Sequence, residues 1–503
     1  MVGQVIFAII PIVILISACI FLFALEKFKL ADEKKRVTTT VAGALLASFF
    51  FSMIWYPSEL EPLWGGVIVG GLLSRFAVLM VLAISLTALV IMRFSIDSDK
   101  YLNRRYGVLF LLASVASMVV VTAHDSMALL FSIEIFAVCS YGLFCGAFAK
   151  RKSFEGVLKF FILGAVGSAL LWFGWGCLSL SSGASDIGGI SRYLSNPEHQ
   201  VFSKVGAVFV LSGIGVKAAW VPFHAWKPDT GESLPPSMVA YFSLLPQVMI
   251  WVFAMRFFSI GVEHSYDTWI SAFVFIAVTT ILCGNALALV QTDVKRLLAY
   301  SAIGHSGLLA VFLSVLTEVN ANHVMSAMMI NIVVYCLNIL GVFTILQIME
   351  NRWEANIRLN DFVGLYKRNI LLALATTIFL MSMVGLPITV GFVAKLTFFD
   401  AVLNEKAYGM ALLGVLGFVV STVYLFSIVG RIFAKIPNRE FGKILFADSP
   451  YLIPLAATLM VVTIFLGTVS PNWLVAQTRG LSSQTIGFKT IEQTDRDAIA
   501  GRR

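Results

Sequence analysis

Charge is scarce in this sequence. Only 13% of its 503 residues are Asp, Glu, Lys or Arg, where a soluble domain carries roughly 25%. With 59% hydrophobic residues, that scarcity excludes an ordinary soluble fold and implies an integral membrane protein. The apolar segments show no polar alternation, so they read as helices rather than barrel strands. Cysteine is sparse too, and Cys19, Cys139, Cys145, Cys177, Cys283 and Cys336 form no CxxC pair. Neither a disulfide framework nor a metal centre is indicated, and no iron–sulfur set or haem ligand pattern is seen. A glycine-rich nucleotide loop is also missing. Redox chemistry within the chain is therefore not expected. The net charge of +8 lies in short loops, where it reports membrane orientation rather than nucleic-acid binding.

Crossing a bilayer takes about 20 apolar residues. Fourteen candidate spans follow, near 4–25, 38–57, 74–94, 106–122, 126–148, 155–181, 204–228, 238–259, 268–291, 298–316, 323–348, 370–401, 409–431 and 450–474. The first is too long for a signal-peptide core and its charges follow it, so it reads as a retained span. Loops after odd-numbered spans carry the basic residues, among them Lys34, Arg104, Lys150, Lys227, Lys295, Arg296, Arg358 and Arg431. Loops after even-numbered spans hold few, such as Arg75, Arg192, Lys204 and Lys406. This asymmetry puts the odd-span loops in the cytoplasm and both termini on the outer, periplasmic side. The expected organisation is one transmembrane domain over 1–475 and a polar tail over 476–503. A Ser- and Gly-rich stretch over 182–203 reads as the longest external loop.

With loop charges set aside, Glu134, Lys159, Lys217, His305 and Lys395 remain within apolar segments. An ionisable group at mid-membrane costs at least about 2.5–3.5 kcal/mol and faces a partner or a wet cavity. Alternatives stay open: Lys159 as a side chain snorkelling to the interface, His305 as a core histidine, and Glu134 with Lys217 as a structural ion pair. Proline adds to the pattern. Pro222 follows Lys217 in "GVKAAWVPFHAWKPD", and Pro387 precedes Lys395 in "VGLPITVGFVAKLTFF". A mid-span proline breaks the helix, and broken helices at membrane depth line protein-enclosed or watery space. Two broken, lysine-bearing spans, the seventh and the twelfth, run in opposite directions. That is the mark of inverted repeats, here about 106–259 and 268–431. Lys217 and His224 are expected to line the first break.

These two stretches, together with "KSFEGVLKFFILGAVGSALLWFG" and "QTDVKRLLAYSAIGHSG", resemble the antiporter-like subunits of complex I, the proton-translocating NADH:quinone oxidoreductase. The sixth-span motif and the length point to the N-type subunit. The resemblance implies an all-α membrane fold of about fourteen helices with two inverted five-helix repeats. It implies a fifth-span Glu paired with a seventh-span Lys, matching Glu134 and Lys217. Lys159 and Lys395 match the sixth- and twelfth-span lysines, and His224 and His305 lie in the matching motifs. One position departs: Gln247 stands, beside Pro246, where a central eighth-span lysine is usual. An amide holds water but carries no proton charge, which makes His305 the more interesting candidate.

The implied function is proton translocation through a Glu/Lys/His relay driven by electron transfer elsewhere. Quinone, FMN and iron–sulfur clusters would belong to partner subunits, and no cofactor or metal to this chain. Adjacent antiporter-like and small membrane subunits would be its partners, in a bacterial inner membrane. Two other readings use the same residues: a subunit of a multisubunit sodium/proton antiporter, and a non-pumping scaffold whose relay is interrupted at Gln247.

Overall fold

Hydrocarbon offers backbone groups no partner, and the chain meets this by being helical almost throughout. A computed structural model describes residues 2–24, 33–57, 62–64, 66–95, 103–145, 151–194, 201–260, 266–317, 320–353, 356–435 and 449–469. Helices α1 (Val2–Ala24) and α2 (Glu33–Trp55) lead to a two-residue hairpin of β1 (Pro62–Leu63) and β2 (Ile68–Val69). Next come α3 (Leu72–Arg93), α4 (Arg104–Thr122), α5 (Ser126–Cys145), α6 (Arg151–Ser182) and the short α7 (Ile187–Leu194). The middle of the chain forms α8 (Val201–Ala218), α9 (Trp226–Ser233), α10 (Pro236–Ile260), α11 (Tyr266–Leu289), α12 (Val294–Ser314) and α13 (Ala321–Trp353). After two short turns follow α14 (Ile370–Val384), α15 (Val390–Asn404), α16 (Tyr408–Ile432) and α17 (Leu452–Thr468).

Among the described residues, 11 helices are long and apolar enough to cross a membrane, and α14 and α17 are shorter apolar helices. The expected tail over 476–503 lies outside the described residues. The stretch read as the longest external loop contains α7, whose Ser191 hydroxyl donates to the Phe257 carbonyl on α10. Burial grades the helices: α10, α12 and α13 are enclosed almost completely. Helices α1, α6, α11 and α16 leave Phe23, Phe173, Phe275 and Val419 exposed, the arrangement expected of faces turned to lipid tails. Helix α13 has 33 residues, about 50 Å at 1.5 Å per residue, longer than the roughly 30 Å hydrocarbon layer.

Both expected breaks are present, and each has its own local cause. Helix α8 ends at Ala218, and Ala219 adopts a positive φ of 56° before the Val221–Pro222 bond. Helix α14 ends with Gly385 at φ 84°, whose N–H bonds Ser382 O at 3.0 Å while Leu386 N–H reaches Met381 O at 3.1 Å. Glycine suits that left-handed position, and Pro387 prevents the helix from resuming. Helix α15 then doubles back so closely that a Cβ on Gly391 would collide with the Ser382 backbone oxygen. A backbone atom cannot swing aside as a side chain can. Gly391→Val is therefore expected to destabilise the chain by about 3 kcal/mol, the upper part of the usual overpacking range. Immunoblotting membranes against Gly409→Val, where a Cβ meets nothing within 4 Å, checks this. Equal amounts of the two variants would refute it.

Candidate functional site

The break between α8 and α9 frees backbone carbonyls, and neutral donors take them. Trp226 Nε1 donates to Val216 O at 2.9 Å and Ser306 Oγ to Ala218 O at 3.1 Å, while Val221 N–H donates to Thr280 Oγ1 at 3.2 Å. Lys217 is thus spared capping duty. Its Nζ donates to Ser168 Oγ at 2.8 Å and to Gly164 O at 3.4 Å, both on α6. Helix α6 approaches because glycines line the seam: a Cβ on Gly213 would lie 2.8 Å from Leu171 Cβ, and one on Gly167 would lie 2.7 Å from Val216. Such small-residue seams are how helices pack without a hydrophobic drive between them.

Glu134 on α5 lies within electrostatic reach of Lys217 and of Tyr141. Its Oε1 is buried with no hydrogen-bond partner. Carboxylate and amine are therefore neighbours through space, with the lysine's bonds held by α6. His224 sits within the break, its Nδ1 buried without a partner and its ring 6.5 Å from that of Tyr300.

Lys159, also on α6, is half-exposed. It pairs with Asp229 at 2.6 Å and Glu155 at 2.8 Å, and Asp229 also pairs with Arg296 at 2.8 Å. Arg296 reaches Glu232 at 3.0 Å. Asp229 and Glu232 both lie on α9, so this ladder ties the half-helix to α6 on one side and α12 on the other. Outside the spans, burial raises the Asp293 carboxyl above the usual range, against the lowering effect of the Arg296 N–H and of Lys295.

The second break is built differently. Lys395 itself donates to the freed Val384 carbonyl, and its ammonium lies 3.9 Å from the Phe418 ring centre. It lines a cavity of about 70 Å³ shared with His305, Tyr335 and a set of amides. His305 stacks on Tyr335 at 4.1 Å, and its Nδ1 is buried without a partner. On the same wall Tyr424 Oη lies within hydrogen-bond distance of Asn285 Oδ1 and of Ser301 Oγ, each at 3.1 Å. Asn331 Nδ2 donates to Ala394 O at 3.0 Å. At about 15 Å³ per water or slightly less, the space suits several waters, and the lining supplies their partners.

Gln247 lies on α10 in a second cavity of about 20 Å³, which Lys217 and Lys227 also line. Its Oε1 accepts from Trp251 Nε1 at 2.8 Å. Lys227 differs from the sequence reading, which treated it as a loop charge. It is 5% exposed and stands on α9, because the chain after the break turns into the protein as a short helix. Lys295 differs likewise: it is buried, bonding Glu350 at 2.9 Å and Leu234 O at 2.9 Å.

The structure thus gathers Glu134, Lys217 and Gln247 around one break and His305 and Lys395 around the other, with Lys159 set apart in the ladder. Sequence reasoning missed Lys227, Ser168, Asn285, Asn331, Tyr335 and Tyr424. Only Lys227 left a signal, a cation five residues past a span-breaking proline. Among the described residues no group of three His, Cys, Asp or Glu is placed to hold a metal ion.

Comparison with known proteins places these features in context. The family described as NADH:quinone oxidoreductase/Mrp antiporter, TM, matches residues 123–421. NADH-quinone oxidoreductase subunit N 1 of Rhizobium meliloti is 29% identical over 413 residues, covering 81% of this chain and 85% of that protein. A chain of respiratory complex I from Thermus thermophilus superposes with a TM-score of 0.77 at 22% identity, covering 93% of this chain and 98% of that one. A chain of the Mrp complex from a Dietzia species superposes at 0.81 with 18% identity, covering 98% of this chain and 99% of that one.

Proposed function

The chain belongs to the NADH:quinone oxidoreductase/Mrp antiporter transmembrane family, and from that membership we propose that it is the N-type membrane-arm subunit of a proton-translocating NADH:quinone oxidoreductase. The observation that carries the reading is the pair of helix breaks, each placing a buried lysine against a polar cavity. Electrons pass in partner subunits that hold the flavin, iron–sulfur clusters and quinone. This chain moves protons, and its neighbours are other antiporter-like and small membrane subunits.

In this reading the chain crosses a bacterial inner membrane fourteen times, with α8–α9 and α14–α15 each counted as one broken crossing and both termini periplasmic. The repeats about 106–259 and 268–431 face in opposite directions. Burial of Glu134 Oε1 without a partner leaves a carboxylate poised to attract the Lys217 ammonium or release it. Lys217 therefore holds its proton more or less tightly as that distance changes. A conformational change in the partners, driven by quinone reduction, biases the two states. The proton then travels by His305 to Lys395.

The Mrp likeness supports a second reading, in which the same relay exchanges a cation for protons without electron transfer. A third is the scaffold. NADH-driven acidification of inverted membrane vesicles separates all three. Glu134→Gln is expected to cut proton uptake severalfold with the complex assembled. Unchanged uptake in an assembled complex would favour the scaffold. Uptake that requires a sodium gradient rather than NADH would favour the antiporter.

A further inference from the structure

A relay from Lys217 to Lys395 needs a group between them that binds and releases a proton. Gln247 occupies the wall there, but an amide does not carry that charge, and its carbonyl oxygen is already taken by the Trp251 indole. One other polar side chain with a titratable end lines the same cavity. Lys227 is 5% exposed, shares the 20 Å³ space with Lys217 and Gln247, and lies within electrostatic reach of His305.

The neighbouring buried cations have structural duties. Lys295 is bonded to Glu350 and to Leu234 O, and Arg256 donates to Ser74 Oγ at 2.7 Å. Lys227 Nζ has no hydrogen-bond or ion-pair partner among the described residues. A buried amine without a partner is costly to keep, and a purely structural position would be filled as well by Leu or Met. Its helix is also the one that the acidic ladder ties to α6 and α12. That ladder holds the lysine stem against the cavity while the ammonium remains unbonded.

We propose that Lys227 is the central proton carrier of this chain, a lysine displaced from α10 to α9, which receives the proton from Lys217 and passes it toward His305. The step is a proton transfer between nitrogens: Lys217 loses a proton, Lys227 gains it, and His305 takes it in turn. This rests on the translocation reading above.

The test uses the intact complex in inverted vesicles, with NADH oxidation and proton uptake recorded together. Lys227→Gln is expected to lower uptake severalfold. Lys227→Arg keeps the positive charge but does not release a proton, so it is expected to lose uptake to the same degree. The paired change Lys227→Gln with Gln247→Lys moves the amine across the cavity and is expected to recover most of it. Wild-type uptake in Lys227→Arg would overturn the proposal and leave the lysine a structural charge. So would a paired variant no better than Lys227→Gln alone, provided both assemble. Lys217→Met separates the two levels. If Lys217→Met abolishes uptake and Lys227→Gln does not, only this inference fails; if neither lowers uptake, the translocation reading itself fails.

Discussion

Lys217→Met is expected to reduce NADH-driven proton uptake by roughly tenfold or more, since a positioned proton carrier contributes at least that much to a transfer. Methionine has nearly the same length and stays within the apolar surroundings, so packing along α6 survives. What disappears is the ammonium held by Ser168 Oγ and Gly164 O. Those two acceptors are left without their donor, at a cost of about 1–3 kcal/mol, which a folded helix pair tolerates. Glu134, by contrast, loses the cation that faces it, and its Oε1 has no hydrogen-bond partner among the described residues. The measurement is the initial rate of acidification of inverted vesicles, normalised to assembled complex on a native gel. A Lys217→Met complex that assembles and pumps at the wild-type rate would remove the α8–α9 break from the mechanism.

The second large effect concerns stability. Lys295 is 2% exposed and Glu350 15%, and their 2.9 Å bond joins the start of α12 to the end of α13. Glu350→Ala strands a buried ammonium with only the Leu234 carbonyl, and a broken buried pair costs about 3–5 kcal/mol. Replacing both members, as Lys295→Met with Glu350→Leu, removes the stranded charge and is expected to recover most of that loss. Thermal unfolding of the purified complex should therefore rank the single variant lowest and the double variant near wild type. A double variant no more stable than Glu350→Ala would mean that the pair holds the helices by something other than charge compensation.

The breaks were legible because their cause is local. A lysine, a proline and flanking glycines within a dozen residues state that a helix stops inside an apolar segment, and Ala218 and Gly385 are where it stops. The lysines at both breaks were legible for the same reason. What each lysine touches was not. Lys217 bonds α6 rather than Glu134 because Gly167, 50 residues earlier, and Gly213 let α6 and α8 come close, a pairing no local spacing encodes. Lys227 was misread because an eight-residue helix after a proline has too few apolar residues to register as a span, so its cation passed for a loop charge. Asn285, Asn331 and Tyr424 look ordinary in their own helices. They become a polar wall only when α11, α13 and α16 meet.

The two cavities share no lining residue. That separation has an electrical consequence. A membrane that stores 100 mV holds about 2.3 kcal/mol per elementary charge, and an unbroken file of water across it would discharge the store as fast as it was built. Between the cavities stand side chains instead, and a side chain hands over one proton at a time, only when its neighbour is ready. The chain is thus as much an insulator as a conductor, and the separation of the two cavities is what keeps the battery charged.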